Sequence, residues 1–369
     1  MISEPTYLAA KLVSHRIAAH FQGLAEEPAL VQQVQTPDTT TVEILLDTAF
    51  WASLRREEGY EPKISLVFAS PETTSNNLIF RNRQRLTPYH LVKLSPAVVQ
   101  PGIHLGVWLE GTDFYVWGTT HEVPAHSMVI EVVEAGMLVV KQRHTYSAGK
   151  FVNVAVLNGN QIKVVDDNHW GLADSPGLLA SLLGLSKEDG SDNILVQLAL
   201  AMRRHGRGAL LLVVPEDSSA WLHSIVKPVN YMIEPQVASP LQDPGDTADP
   251  DADTLRKMID AVGGYSAIDG ATVITRDHRL LAFGAKVARA PYGMPVDRIL
   301  LTEPVAGSVQ QELSATVIGG TRHLAAAQFV HDQQDSLAMV ASQDGTFTVF
   351  SWSVHREMVH AHRIEALLM

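Results

Sequence analysis

Apolar residues recur along the first 35 positions with a helical spacing. Leu8, Leu12, Val13 and Ile17 fall at i, i+4, i+5 and i+9, which predicts one amphipathic helix over residues 1 to about 35. From Thr39 the pattern shortens. Thr41-Val42-Glu43-Ile44-Leu45-Leu46 and Ile64-Ser65-Leu66-Val67-Phe68 are rich in β-branched residues and read as strands. Further short strands are predicted at His104 to Leu109, Asp113 to Trp117, Met128 to Val133, Met137 to Lys141, Asn153 to Leu157 and Gln161 to Val165. Pro101-Gly102, Glu110-Gly111-Thr112-Asp113, Glu134-Ala135-Gly136 and Asn158-Gly159-Asn160 separate them as turns. The first half is thus expected to be an N-terminal helix followed by a mostly antiparallel, β-rich domain.

The second half alternates differently. Leu178 to Leu185 and Asn193 to His205 have helical patterns. After Gly206-Arg207-Gly208 comes Ala209 to Val214, a run of apolar residues that suits a strand buried on both faces. Ser239 to Asp253 holds four prolines or glycines and five aspartates, a composition for a mobile acidic loop. A helix (Thr254 to Val262) and two strands (Ala271 to Thr275, Arg279 to Gly284) follow. A long connection leads to a helix (Arg322 to Gln333), strands (Ser336 to Ser342, Thr346 to Ser351) and a terminal helix from Arg356 to Leu368. Alternating helices and buried strands predict an α/β domain with a mixed sheet flanked by helices. The fold class is therefore α+β / α/β, with domains at 1–165 and 166–369.

Composition narrows the chemistry. The chain has 369 residues, 46% of them apolar, enough for a large core, and no internal repeat stands out. Cysteine is absent, so disulfides, thiolate metal sites and Cys nucleophiles are excluded. The net charge of -12 argues against duplex nucleic acid as a partner. The start is interrupted by Lys11, His15 and Arg16, and no apolar run approaches the roughly 20 residues of a membrane span. A cytoplasmic protein with no membrane partner is expected.

Two segments carry more than packing requires. Asp269-Gly270-Ala271 puts a carboxylate at a sheet edge, next to a glycine that lets a ligand approach the backbone. The same dipeptide also serves as an ordinary turn. Gly319-Gly320-Thr321-Arg322-His323 opens a helix, where free N–H groups and the helix dipole favour an anion. It also serves as a plain N-cap. The His355, His360 and His362 group lacks HExxH spacing and reads as a solvated helix face. Trp108, Tyr115 and Trp117 read as strand core and cross-strand pairs rather than a ligand platform. Arg203-Arg204-His205-Gly206-Arg207 reads as a basic helix C-terminus. No GxSxG elbow is present.

In this order the two segments resemble the diadenylate cyclase domain. Ile268-Asp269-Gly270-Ala271-Thr272-Val273-Ile274 is similar to its Asp-Gly-Ala motif, and Gly320-Thr321-Arg322-His323-Leu324-Ala325-Ala326 to its Gly-Thr-Arg-His-Arg motif. Asp335 to Ser342 and Gly208 to Pro215 resemble two of its strands, so the resemblance spans about residues 190 to 352. Residues 1 to 165 resemble the sensor-like modules that such cyclases carry. The resemblance implies condensation of two ATP into cyclic di-AMP, a second messenger, across a face-to-face homodimer, with Mg²⁺ or Mn²⁺. It implies that Asp269 acts at the metal and as general base at the attacking 3′-hydroxyl. It makes His323 a catalytic metal or phosphate contact. Gly320, Thr321 and Arg322 would hold the triphosphate. Gly270, Ala271 and Val287 would line the nucleoside pocket, and Ser342 would touch phosphate. Three features depart from the pattern. Leu324 replaces an arginine. Gln343 and Asp344 stand where acidic residues are usual. The connection from Val287 to Gly319, with Arg289, Pro291, Pro295 and Arg298, is long. Loss of one cation leaves an inactive, nucleotide-binding sensor as the alternative, and a ligand-free scaffold as a third.

Overall fold

A computed structural model describes residues 5–25, 36–143, 151–166, 194–234 and 252–369. The expected helix at Leu178 to Leu185 and most of the acidic loop, 239–251, lie outside them. The described residues form two compact units, one within 5–166 and one within 194–368. Both combine helices with a mixed sheet.

In the first unit, α1 (Leu8–Ala25) and α2 (Thr39–Ser53) accompany eight strands. These are β1 (Ile64–Phe68), β2 (Ser75–Arg85), β3 (His104–Glu110), β4 (Asp113–Glu122), β5 (Met128–Glu134), β6 (Met137–Arg143), β7 (Phe151–Asn158) and β8 (Gln161–Val164). Their order is β2-β4-β3-β1-β5-β6-β7-β8. Every neighbouring pair is antiparallel except β1 and β3, which are parallel, so the sheet is mixed and mostly antiparallel. The short helix α3 (Pro88–Leu94) starts from a Thr87 cap with proline in its first turn.

The strand expected at Thr41 to Leu46 is instead the start of α2. Asp38 caps it, accepting the Thr41 N–H at 2.7 Å. Val42, Leu45, Leu46, Ala49 and Ala52 are buried, a spacing of 3.6 rather than 2. In α1, Leu8 and Leu12 are exposed, contrary to the expected apolar face. Ala10, Val13, Ile17, Ala18 and Phe21 form it instead. Trp117 is a core residue whose indole donates to Ala69 O at 2.9 Å, and Trp108 pairs with Tyr115 across the strands.

The second unit is a nine-stranded sheet in the order β10-β12-β11-β9-β15-β16-β17-β13-β14. Its strands are β9 (Ala209–Val214), β10 (Tyr231–Met232), β11 (Ala271–Thr275), β12 (Leu280–Ala285), β13 (Arg298–Thr302), β14 (Gln311–Ser314), β15 (Leu337–Ala341), β16 (Phe347–Ser353) and β17 (Met358–Arg363). Only β9/β11 and β13/β17 are parallel. The helices are α4 (Ile194–Arg204), α5 (Ala252–Tyr265) and α6 (Thr321–Asp332). One sheet face, with Leu210, Leu212, Val340, Phe350 and Val359, packs against Ala326, Ala327, Phe329 and Val330 of α6. The two alanines let the helix approach closely. Burying a Phe or Val side chain contributes about 1.5–3 kcal/mol, so Phe329 and Val330 bind the helix firmly to the sheet.

Two expectations fail here. The long connection contains β13 and β14, which form one edge of the sheet. Its 288–297 segment is tied to α6. Asp332 Oδ2 accepts the Ala290 N–H at 2.8 Å, and Gln328 bridges Val296 N and Met294 O at 3.0 Å each. The terminal helix is instead strand β17 followed by a 3-10 turn at Glu365–Leu367. His360 and His362 are therefore buried on a strand, not solvated on a helix, and Thr302 Oγ1 lies 3.1 and 2.8 Å from their rings. His355 is exposed.

Candidate functional site

Strand register gathers the predicted residues at one end of the second sheet. Thr272 pairs with Leu211 in parallel, so Asp269 and Gly208 stand side by side just before their strands. Ala341 pairs with Ala209 antiparallel, which brings Ser342 to the same end. Beyond it come Thr348 on β16 and its partner Arg363 on β17.

The Asp-Gly turn is built by close backbone approach. Gly270 has φ +107°, and a Cβ there would stand 2.5 Å from the Gly284 carbonyl carbon. Gly284, at φ +63°, is covered by the ring of Tyr231. Tyr231 and Tyr265 stack on Phe283 with centroids 4.9 and 5.0 Å apart. This packing leaves the Asp269 carboxylate 86% exposed, with Lys286 Nζ 3.5 Å away. Ala271 is fully buried in the core, so it can offer a ligand only its backbone. Val287 is half-buried, packs on the core and bridges to Ile225.

The second motif opens α6. Gly320 is its N-cap and no side chain caps it, so Thr321 is exposed rather than acting as a cap. Arg322 folds back over β9. A Cβ at Gly208 would stand 2.6 Å from its Nη1. His323 turns inward and is 4% exposed. Its ring packs on Gly319, faces Phe350 edge-on at 6.1 Å, and holds Nε2 3.5 Å from Thr348 Oγ1. Burial keeps its pKa below the ordinary value. The positive charge of Arg363 acts in the same direction, and Asp344 opposes both. Asp344 Oδ1 accepts the Thr346 N–H at 3.0 Å and its hydroxyl at 2.8 Å, and the Ser342 hydroxyl also donates to this carboxylate. These bonds hold the Asp344 carboxyl below its usual range, led by the Thr346 N–H. Leu324, next on the helix, is exposed.

Asp269, Gly270, Gly320, Thr321, Arg322, His323 and Ser342 thus share one end of the sheet. Lys286, Thr348, Arg363 and the glycine seat Gly208 belong to the same region and were not singled out by sequence. Only Gly208 had a local signal, the Gly206-Arg207-Gly208 break before the strand. Among the described residues, no three His, Asp or Glu side chains come together as a metal cluster.

Residues 31–121 match a sensor-domain model. Its description is "Probable sensor domain DACNV", and the match covers α2, α3 and β1 to most of β4. No curated protein matches the chain. Among solved structures, one similar chain is a hypothetical membrane spanning protein from Bacillus cereus. It is 14% identical over 52% of this chain and 70% of that one, with a TM-score of 0.29. Another is DacA from Staphylococcus aureus, solved as a double mutant. It is 16% identical over 42% of this chain and 77% of that one, with a TM-score of 0.22. Overlaps this slight establish no shared fold. Among the described residues, no helix is long and apolar enough to cross a membrane.

Proposed function

We propose that the second unit binds ATP and condenses two molecules into cyclic di-AMP, under control of the first unit. The observation that supports this reading is the meeting of Asp269-Gly270 and Gly320–His323 at one sheet end, with Arg322 seated on Gly208. The sensor-domain match at residues 31–121 fits a regulatory role for the first unit.

Two ATP-loaded copies face each other in this reading. Each ribose 3′-hydroxyl attacks the α-phosphate of the opposite ATP. A new P–O bond forms and pyrophosphate leaves, twice per product. Such transfer depends on positioning and charge neutralisation. Asp269 is exposed and accepts the hydroxyl proton. Arg322 and the uncapped N–H groups at Gly320 and Thr321 hold phosphate oxygens. His323, neutral through burial, orients on phosphate from inside, and Ser342 adds a hydroxyl. Gly270, whose missing side chain admits the Gly284 backbone, offers the nucleoside its own backbone beside Val287. Mg²⁺ or Mn²⁺ fits one protein carboxylate with phosphate oxygens and water completing its shell, and Asp269 is that carboxylate. Bound there, the ion would neutralise phosphate charge.

A second reading, nucleotide binding without turnover, is favoured by Leu324. An exposed apolar side chain stands in the first turn of α6 where the resemblance calls for a cation. Mass spectrometry of products from ATP and Mn²⁺, with Asp269→Asn as control, separates the two. Cyclic di-AMP from the natural chain only would support the cyclase. ATP binding by calorimetry without product would establish the sensor. Neither binding nor product would sink both.

A further inference from the structure

Four arginines of the second unit are half-buried: Arg203, Arg279, Arg322 and Arg363. Two of them are satisfied by protein. Arg203 donates to Leu368 O at 2.6 Å, and Arg279 pairs with Asp277 at 3.0 Å and Asp217 at 3.3 Å. Arg322 and Arg363 form no ion pair or hydrogen bond among the described residues. The Arg363 Nε is buried without a partner. A partly desolvated guanidinium with no counter-charge costs free energy, and an anion bound at this end of the sheet would offset that cost for both.

Their placement is specific. Arg363 lies directly opposite Thr348, and opposed residues on paired strands share a sheet face. Thr348 meets His323 of α6, so Arg363 emerges on the α6 face, the side from which Arg322 reaches Gly208. The seat of Arg322 on β9 and Arg363 on β17 are three strand spacings apart. At about 4.8 Å per spacing this is about 14 Å, wider than one phosphate group. The gap between them holds Ser342, Thr348 and His323. Of the carboxylates at this sheet end, Asp344 is engaged by Thr346 and Ser342, and Asp269 lies 3.5 Å from Lys286 Nζ.

We infer that Arg363 is an anion ligand that, with Arg322, clamps the two ends of a polyphosphate chain along this end of the sheet. The inference deepens the nucleotide reading and rests on its location of the site. It adds a residue from β17 that lies outside both motifs, and it assigns the ligand as a polyphosphate rather than a lone phosphate.

Inorganic tripolyphosphate and orthophosphate test it on the full chain without calling on turnover. Calorimetry should give tighter binding of tripolyphosphate. Arg363→Gln should weaken it about tenfold or more, as loss of a charge-assisted contact does, and Arg363→Lys should restore part of it. Without anion, Arg363→Gln should melt no lower than the natural chain, because it removes an unpaired charge. With tripolyphosphate it should lack the rise in melting temperature that the natural chain shows. Equal tripolyphosphate affinity in Arg363→Gln would overturn the inference, as would a melting temperature lowered by several degrees without anion. So would orthophosphate binding as tightly as tripolyphosphate, or no tripolyphosphate binding at all. Arg363-dependent binding with no cyclic di-AMP from ATP would leave the clamp standing and sink only the cyclase.

Discussion

The guanidinium of Arg322 occupies the space in which a side chain at Gly208 would begin. A Cβ there would stand 2.6 Å from Nη1 and 3.1 Å from Cζ. The two residues are more than a hundred positions apart, yet each defines the other's place. Gly208→Ala is therefore expected to push the arginine off β9 at little cost to folding, since the far end of a flexible side chain can move. Affinity for ATP should fall about tenfold, the equivalent of roughly 1.4 kcal/mol for one misplaced charged contact. Titration calorimetry paired with a thermal melt checks both halves. Unchanged affinity would remove Arg322 from the binding site.

Gly270 answers to a different constraint. Its φ of +107° and its approach to the Gly284 backbone leave no room for a methyl group. Gly270→Ala should cost about 1–3 kcal/mol of stability through strain alone. It should also loosen the stack of Tyr231, Phe283 and Tyr265, visible as increased quenching of tyrosine fluorescence by acrylamide. A melt identical to that of the natural chain would show that the turn can relax.

Buried histidines predict the acid limb of stability. His362 is pushed down to about 3 by burial, with His360 acting in the same direction. His104, whose Nδ1 lies 2.7 Å from Ser65 Oγ, is pushed down to about 4, also chiefly by burial. Both exchange a proton at an ordinary 6.5 when unfolded, so the unfolded chain takes up protons first as pH falls. Their contribution is fully present above about pH 6.5 and is lost progressively towards pH 4 and below. Melting temperature against pH should drop through that window. His362→Gln and His104→Gln should each flatten the drop. Parallel curves for the variants and the natural chain would assign the acid limb to other groups.

Asp38 tests the start of α2. A hydrogen bond from the Thr41 side chain, and next the one from the Thr41 N–H, hold its carboxyl pKa below the usual value. Asp38→Ala should destabilise the first unit by about 1 kcal/mol. The difference should shrink as pH falls through the carboxylate range, because the protonated cap is the weaker acceptor. Denaturant melts at neutral and acid pH measure it. A difference independent of pH would mean that the charge plays no part.

Local chemistry was legible where neighbours in sequence decide the outcome. The six strands between His104 and Val164, the buried Ala209 to Val214 run and the helix after Gly320 follow from periodicity and turn residues. The misread elements share one cause. Thr41 to Leu46 is β-branched, yet a cap and a buried 3.6-residue stripe override that preference. Met358–Arg363 alternates His360 and His362 with Val359 and Ala361, and its polar half is buried through Thr302 on a strand far away in sequence. The candidate site was legible as two motifs. Its assembly was not, because Gly208, Lys286, Thr348 and Arg363 reach it only through sheet register.

The ties from Gln328 and Asp332 to the 288–297 segment lie at the opposite end of α6 from Gly320. A twelve-residue helix is about 18 Å long and nearly incompressible along its axis. The helix that fixes Ala290 and Val296 through its later turns therefore also carries Arg322 and His323 in its first turn. The helix is in this sense a shared strut, anchored at one end to the segment before β13 and at the other over Gly208.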